Sequence, residues 1–141
     1  MAAIPDETRN ALHNEAAGIA SAGLLLKGGS SGVELADAKT DEIVGYSAAE
    51  SSRDASGALE DGTAVAATVA VAPLVGIVYL KFGETVSTVD FGDKIYVDDT
   101  VDGHCTHNLD TSGKHIGYYY GEGNKSLTSG DLIPVMIGRF A

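Results

Sequence analysis

A series of short β-type segments, separated by turn residues, most constrains what this chain can fold into. From Ile19 onward, segments rich in β-branched residues recur roughly every ten residues, and glycine, proline or acidic clusters separate them. This spacing predicts a mainly β fold: a small single-domain β-barrel or β-sandwich over residues 14–141. The alanine-rich stretch ALEDGTAVAATVAVA also leaves room for one short helix. The clearest strand segments are GVELAD, DEIVGYS, LVGIVYLKF, TVSTVDF, DKIYVDD, KHIGYYY and DLIPVMIGRF.

The first thirteen residues differ from the rest of the chain, because they are polar with only scattered apolar positions. Pro5 and the acids after it are suited to the first turn of a short helix. A terminal segment is ordered only where other residues hold it in place. We therefore expect residues 1–13 to form a flexible N-terminal arm.

The net charge of the chain limits the classes of partner that it can bind. The chain has 141 residues, enough for one domain, and a net charge of −11 from 20 acidic and 9 basic side chains. Nucleic-acid binding needs clustered lysine and arginine, so we expect no nucleic-acid partner. An acidic surface of this kind is also typical of proteins from high-salt hosts.

The sequence does not predict a membrane protein or a secreted one. The stretch MAAIPDETRN lacks the basic start of a signal peptide. The apolar run at 64–80 is interrupted by Thr68, Pro73 and Gly76, which favours buried strands over a membrane span.

One stretch, YVDDTVDGHCTHNLDTSGKHIGYYYGEG, contains most of the residues that could do chemistry. Asp98, Thr100 and Asp102 occupy loop positions one, three and five of a calcium template, with Gly103 at six. The twelfth position, where the template needs a bidentate glutamate, is Leu109. We therefore favour an Asp/Gly turn between two strands over a calcium site.

The same stretch also contains candidate residues for zinc binding and thiol catalysis. On a strand Cys105 and His107 share a face, His104 points the other way, and His115 follows another turn. A zinc site needs four convergent ligands, and no second paired motif supplies them. A lone cysteine in a β protein is usually a small buried apolar residue. We predict no metal site, no cofactor, no catalytic residues and no enzymatic activity.

Two segments of the chain resemble each other, and one of them contains a run of tyrosines. IVGYSAAESS at 43–52 resembles HIGYYYGEGN at 115–124, which suggests two related strand-loop-strand units in one barrel. Tyr118, Tyr119 and Tyr120 alternate faces on a strand, so at least one should be exposed. Exposed tyrosine is frequent at protein interfaces.

Three long stretches carry a resemblance to a known family: NEAAGIASAGLLLKGGSSGVELADAKTDEIVGYSAAES, FGDKIYVDDTVDG and HIGYYYGEGNKSLTSGDLIPVMIGRF. In this order they make residues 14–141 similar to the capsid decoration, or cement, proteins of tailed viruses. The tyrosine run and the hairpin with His104 and Cys105 depart from the family's usual pattern.

The resemblance implies a structural protein on the outer surface of a virion, made in the host cytoplasm. Such a protein binds an assembled icosahedral shell, commonly as a homotrimer, and stabilises contacts between major capsid protein subunits. The resemblance also implies that the arm contacts the shell, with Ile4, Pro5 and Leu12 as its apolar candidates. Tyr118, Tyr119 and Tyr120 are the candidates for contacts between subunits.

Two other classes of function stay open from the residues. One is a turret or spike module on a virion, in which exposed tyrosines or the hairpin bind a host ligand. The other, less favoured, is a metal- or thiol-dependent enzyme that uses His104, Cys105, His107 and the aspartates.

Overall fold

The computed structural model describes residues 11–14 (backbone only), 18–30, 32–53, 55–60, 68–107 and 114–138. These residues contain twelve β-strands and no helix. The predicted mainly β, barrel-like domain is confirmed. The strands are β1 (Ala11–Asn14), β2 (Leu25–Gly29), β3 (Gly32–Leu35), β4 (Ile43–Ser47), β5 (Thr68–Ala72), β6 (Gly76–Lys81), β7 (Val86–Val89), β8 (Lys94–Val97), β9 (Cys105–Thr106), β10 (His115–Tyr119), β11 (Lys125–Leu127) and β12 (Leu132–Ile137).

The first five strands form one antiparallel sheet, sheet 1, in the order β1-β5-β4-β2-β3. Its two edge strands, β1 and β3, contact each other, so the sheet is curled. A curled sheet has a concave inner face. Every second side chain along a strand points to this face, and the apolar side chains there form a core. This smaller core consists of Ile19, Leu24, Leu26, Val33, Val69 and Val71.

A second antiparallel sheet, sheet 2, has the order β6-β12-β10-β8-β9. Its edges also approach, because Phe82, directly after β6, forms a parallel bridge with Cys105 of β9. The remaining strands β7 and β11 pair with each other and add Val89 and Leu127 to the larger core. The fully buried Phe82, Leu80 and Ile95 belong to this core.

The two sheets have the same topology. Strands β1, β2, β3, β4 and β5 correspond in order to β6, β8, β9, β10 and β12, and β7 and β11 are additions to the second unit. The similar segments 43–52 and 115–124 begin with the corresponding strands β4 and β10. The predicted pair of related units is therefore present. The strands of each unit are hydrogen-bonded into a sheet of their own, and residues of both sheets share the larger core.

The correspondence extends to single glycines. Gly45 of β4 and Gly117 of β10 each lie beside a register shift in the pairing with the neighbouring strand of the sheet, β2 or β8. A Cβ atom at Gly45 would lie 2.5 Å from the carbonyl oxygen of Ala72, and one at Gly117 would lie 2.5 Å from that of Met136. Each unit therefore needs a glycine where β4 or β10 passes its neighbouring strand.

Turn geometry is also duplicated. Gly23 and Gly92 have φ values of 85° and 91°, and each lies two residues before the first residue of the next strand, β2 or β8. The Gly23 N–H donates to the Ser47 carbonyl, and the Gly92 N–H donates to the Tyr119 carbonyl, both at 2.8 Å. An L-residue rarely adopts this conformation, so glycine is favoured at both positions.

Backbone hydrogen bonds join the two units. The Leu25 N–H donates to the Gly103 carbonyl and the Gly103 N–H donates to the Ala36 carbonyl, both at 2.7 Å. The Lys81 N–H donates to the Gly23 carbonyl at 2.8 Å. Because Leu25 and Ala36 belong to the larger core, one face of sheet 1 is buried against the second unit.

Two expectations concern the chain before β5. Residues 1–10, which make up most of the expected arm, lie outside the described residues. Residues 61–67, which are part of the alanine-rich stretch, also lie outside them. Of that stretch, 68–72 forms β5. Residues 11–13 of the expected arm belong to β1 and pair with β5, so the predicted boundary at residue 14 falls inside a strand.

Candidate functional site: an apolar sheet face and the histidine-bearing turn

The turn after β8 is an aspartate turn. The Asp98 carboxylate accepts hydrogen bonds from the Thr100 N–H at 2.7 Å and the Val101 N–H at 3.2 Å. Gly103 has a φ of 75° and completes the reversal. The predicted Asp/Gly turn between two strands is present, because Asp98 satisfies the backbone of its own loop.

The three histidines of this region have separate partners. His107 Nδ1 lies 2.6 Å from Glu84 Oε1, His104 Nδ1 lies 2.8 Å from the Asp102 carbonyl, and His115 Nε2 lies 2.8 Å from the Gly117 carbonyl. No three His, Cys, Asp or Glu side chains within the described ranges are grouped to hold a metal ion. The partnership of Glu84 with His107 was not foreseen, because 23 residues separate them and only the fold brings them together.

Glu84 holds the end of β9 in place through hydrogen bonds. Its Oε1 atom accepts from the Thr106 hydroxyl at 2.5 Å and from the His107 N–H at 3.0 Å. Partial burial works to raise the pKa of Glu84, but these hydrogen bonds outweigh it and hold the pKa below its usual value. The charged carboxylate therefore ties β9 to the loop before β7.

Cys105 has no exposed surface. Burial raises the pKa of its thiol, and the negative charge of Asp98 raises it further. The thiolate is the nucleophilic form of cysteine, so this environment works against reactivity. The prediction of a small buried apolar residue at this position is confirmed.

The three tyrosines occupy different environments. Tyr119 is 3% exposed and belongs to the larger core, whereas Tyr118 is half-buried and Tyr120 is 39% exposed. The expectation that at least one is exposed is confirmed. Because Tyr119 is buried in the core of its own chain, it is not available for a contact with another subunit. Tyr118 and Tyr120 remain as candidates for such a contact.

Tyr118 and Tyr120 are part of a larger apolar surface, which we call the outer face of sheet 2. One row crosses four strands: Ile77 lies opposite Met136, Met136 opposite Tyr118, and Tyr118 opposite Lys94. In the next row Tyr79 lies opposite Pro134, and the Tyr120 N–H donates to the Pro134 carbonyl. The outer face thus consists of Ile77, Tyr79, Lys94, Tyr118, Tyr120, Pro134 and Met136.

Much of this face is open to solvent. Ile77 is 50% exposed and Tyr79 is 58% exposed, although both lie on a central part of β6. At one end the rings of Phe91 and Tyr120 are 5.0 Å apart. They line an open apolar depression of about 330 Å³ together with Gly92, Tyr118, Tyr119 and Met136.

Ile77, Tyr79 and Met136 were not predicted as surface residues. The sequence contained a signal, because GIVYLK in β6 is apolar on both alternating sets of positions. A strand with two apolar faces is typical of a sheet that is covered on both sides. Here the described part of the chain covers one of those faces and leaves Ile77 and Tyr79 on the other about half-exposed or more.

The residues expected to contact a capsid are only partly described. Ile4 and Pro5 lie outside the described residues. Leu12 lies in β1, where its backbone pairs with Ala70.

The comparisons with known proteins give no relative. A scan against models of known protein families found none that matches the chain, and a search of curated proteins found none similar to it. Within the described ranges, no helix is long and apolar enough to cross a membrane.

Proposed function

We propose that this protein is a structural virion protein that binds the outer surface of an icosahedral capsid as a homotrimer. In this role it stabilises contacts between major capsid protein subunits. It acts through surfaces and not through chemistry on a substrate, and its acidic exterior suits a particle in a high-salt medium.

The observation that carries this proposal is the outer face of sheet 2. In a chain with a net charge of −11, the seven residues named for this face are apolar or aromatic apart from Lys94, and none of them is Asp or Glu. Lys81 and Leu132 form the next row on the same side of the sheet. Large exposed apolar patches mark surfaces that bind other proteins. The buried thiol of Cys105 and the separated histidines support binding over catalysis.

The position of β1 supports a role for the N-terminal residues in shell binding. β1 is an edge strand of sheet 1, and residues 1–10 come directly before it in the sequence. Extended segments bind partner proteins by adding a strand to an exposed sheet edge. Residues 1–10 are then the shell-binding segment.

A reconstitution assay tests this function. Purified protein is mixed with expanded shells of the virus that encodes it, and bound protein is measured after sedimentation. The truncation removes residues 1–10 and retains β1, because loss of β1 would also remove a paired strand of sheet 1. The full chain should saturate the shells and the truncated chain should not.

The control is full-length protein with Ile4→Ser and Pro5→Ser, which retains the arm's length but not its apolar residues. Equal saturation by the full-length and truncated chains would contradict the role of the arm. Absence of binding by the full chain would contradict the capsid function itself.

The open aromatic depression beside Tyr120 favours a second candidate, a virion module that binds a host ligand. Aromatic-lined depressions of this size accept small apolar groups. In that case Tyr120→Ala should abolish attachment of virions to host cells but leave the amount of this protein on the particle unchanged. The capsid function predicts unchanged attachment.

A further inference from the structure

The duplicated fold gives each unit an equivalent outer face, and the two faces have different surroundings. In sheet 1, Tyr46 lies opposite Leu25 on one side and Ala72 on the other. In sheet 2, Tyr118 takes the place of Tyr46 and lies opposite Lys94 and Met136.

The face of sheet 1 is covered by protein. Leu25 is fully buried, Ala72 is 4% exposed, and Tyr46 packs against the larger core. The cover is the second unit of the same chain, to which Gly103 and Lys81 also make backbone hydrogen bonds. One β-unit of this fold therefore already packs against the outer face of another.

Among the residues that the structure describes, none covers the face of sheet 2 in this way. Met136 and Tyr118 are half-buried, and the neighbouring Ile77 and Tyr79 are about half-exposed or more. The structural element that would cover it by analogy with sheet 1 is a further unit of the same fold. A second copy of the chain would supply such a unit.

Charge favours approach of two copies at this face over other surfaces. Each copy has a net charge of −11, so acidic surfaces of two copies repel each other. None of the seven residues named for the outer face of sheet 2 is an acid, and Lys94 at its end gives a carboxylate of the second copy a partner.

From these observations we infer that the outer face of sheet 2 is a self-association surface, and that a second copy of this chain covers it as the second unit covers sheet 1 within the chain. This inference concerns the self-association in the proposed function and does not depend on capsid binding. It is therefore tested in solution, and shell binding of the same variants is measured separately in the reconstitution assay.

The experiment measures mass by sedimentation equilibrium over a concentration series of the full-length protein. The test variants are Ile77→Glu and Tyr79→Glu, which place an acid on exposed positions of the face and so spare the core. The matched control is Val44→Glu, which adds the same charge at an exposed valine of β4, 53% exposed, in sheet 1. Thermal unfolding of each variant confirms that it is folded.

We expect the wild type and Val44→Glu to form the same oligomer, and each test variant to raise the dissociation constant at least tenfold. A wild type that stays monomeric at the highest concentration would overturn the inference. So would an oligomer that Ile77→Glu and Tyr79→Glu leave intact. A monomeric wild type whose shell binding is lost in both variants would assign the face to a capsid subunit and would also overturn it, while the capsid function would stand.

Discussion

Replacement of Gly117 by alanine tests whether the second unit depends on the close strand contact that defines both units. A Cβ atom at residue 117 would lie 2.5 Å from the Met136 carbonyl oxygen and 2.8 Å from Val135 Cγ1. Real Cβ atoms do not approach other atoms so closely, and a backbone oxygen in a paired strand cannot move away freely. Strand β12 must therefore shift, although Val135 is fully buried in the larger core.

The expected cost follows from this geometry. An extra carbon in a well-packed region lowers the free energy of unfolding by about 1–3 kcal/mol. Because the new Cβ would clash with a backbone oxygen, we expect a loss of about 2–3 kcal/mol for this variant. An unfolding entropy of about 2.1 cal/mol/K per residue gives roughly 0.3 kcal/mol/K for this chain. The melting temperature should therefore fall by about 7–10 °C. Gly45→Ala, at the equivalent position of sheet 1, should cost a similar amount.

The assay is equilibrium unfolding in urea together with thermal unfolding followed by circular dichroism. Gly28→Ala is the matched control, because it is also a strand glycine without a positive φ, and its Cβ would meet only Val44 Cγ1 at 4.0 Å. That variant should be neutral or more stable by up to about 1 kcal/mol. If Gly117→Ala and Gly28→Ala have the same stability within about 0.5 kcal/mol, the close contact does not constrain β10 and the reasoning is refuted.

Three further predictions concern Ser47, Glu84 and Cys105. Ser47→Ala removes the hydroxyl that accepts from the Leu24 N–H at 3.0 Å, and it should cost about 1–3 kcal/mol in urea unfolding; a loss below about 0.5 kcal/mol would contradict this. Glu84→Gln should cost about 1–2 kcal/mol at pH 7, because the wild-type carboxylate is charged and hydrogen-bonded to His107. The folded-state pKa of Glu84 is lowered, so its contribution is present above the unfolded pKa of about 4.3 and is lost as pH falls through the folded value; a difference between wild type and variant that persists at about pH 2 would be inconsistent with this. Cys105 should not react with a maleimide in the native protein but should react fully in denaturing urea, and rapid native labelling would show that it is accessible.

Local residue pattern was sufficient to predict much of this protein. Alternating β-branched segments predicted the all-β fold, because a pleated strand with a buried face requires that alternation. The aspartate and glycine spacing around Asp98 and Gly103 predicted the turn, because an aspartate side chain satisfies the backbone of its own loop. The similar stretches around Gly45 and Gly117 indicated two related units. Each of these inferences depends on residues that are close in sequence.

Only the tertiary structure showed how these local pieces are combined. The duplicated strand order, the pairing of Glu84 with His107 and the burial of Tyr119 depend on contacts between distant segments. The same holds for the contrast between the covered face at Tyr46 and the open face at Tyr118. Both strands read as apolar with a tyrosine after a glycine, and sequence alone treats them alike. What distinguishes them is which face of each sheet meets another unit, and that depends on the packing of the whole chain.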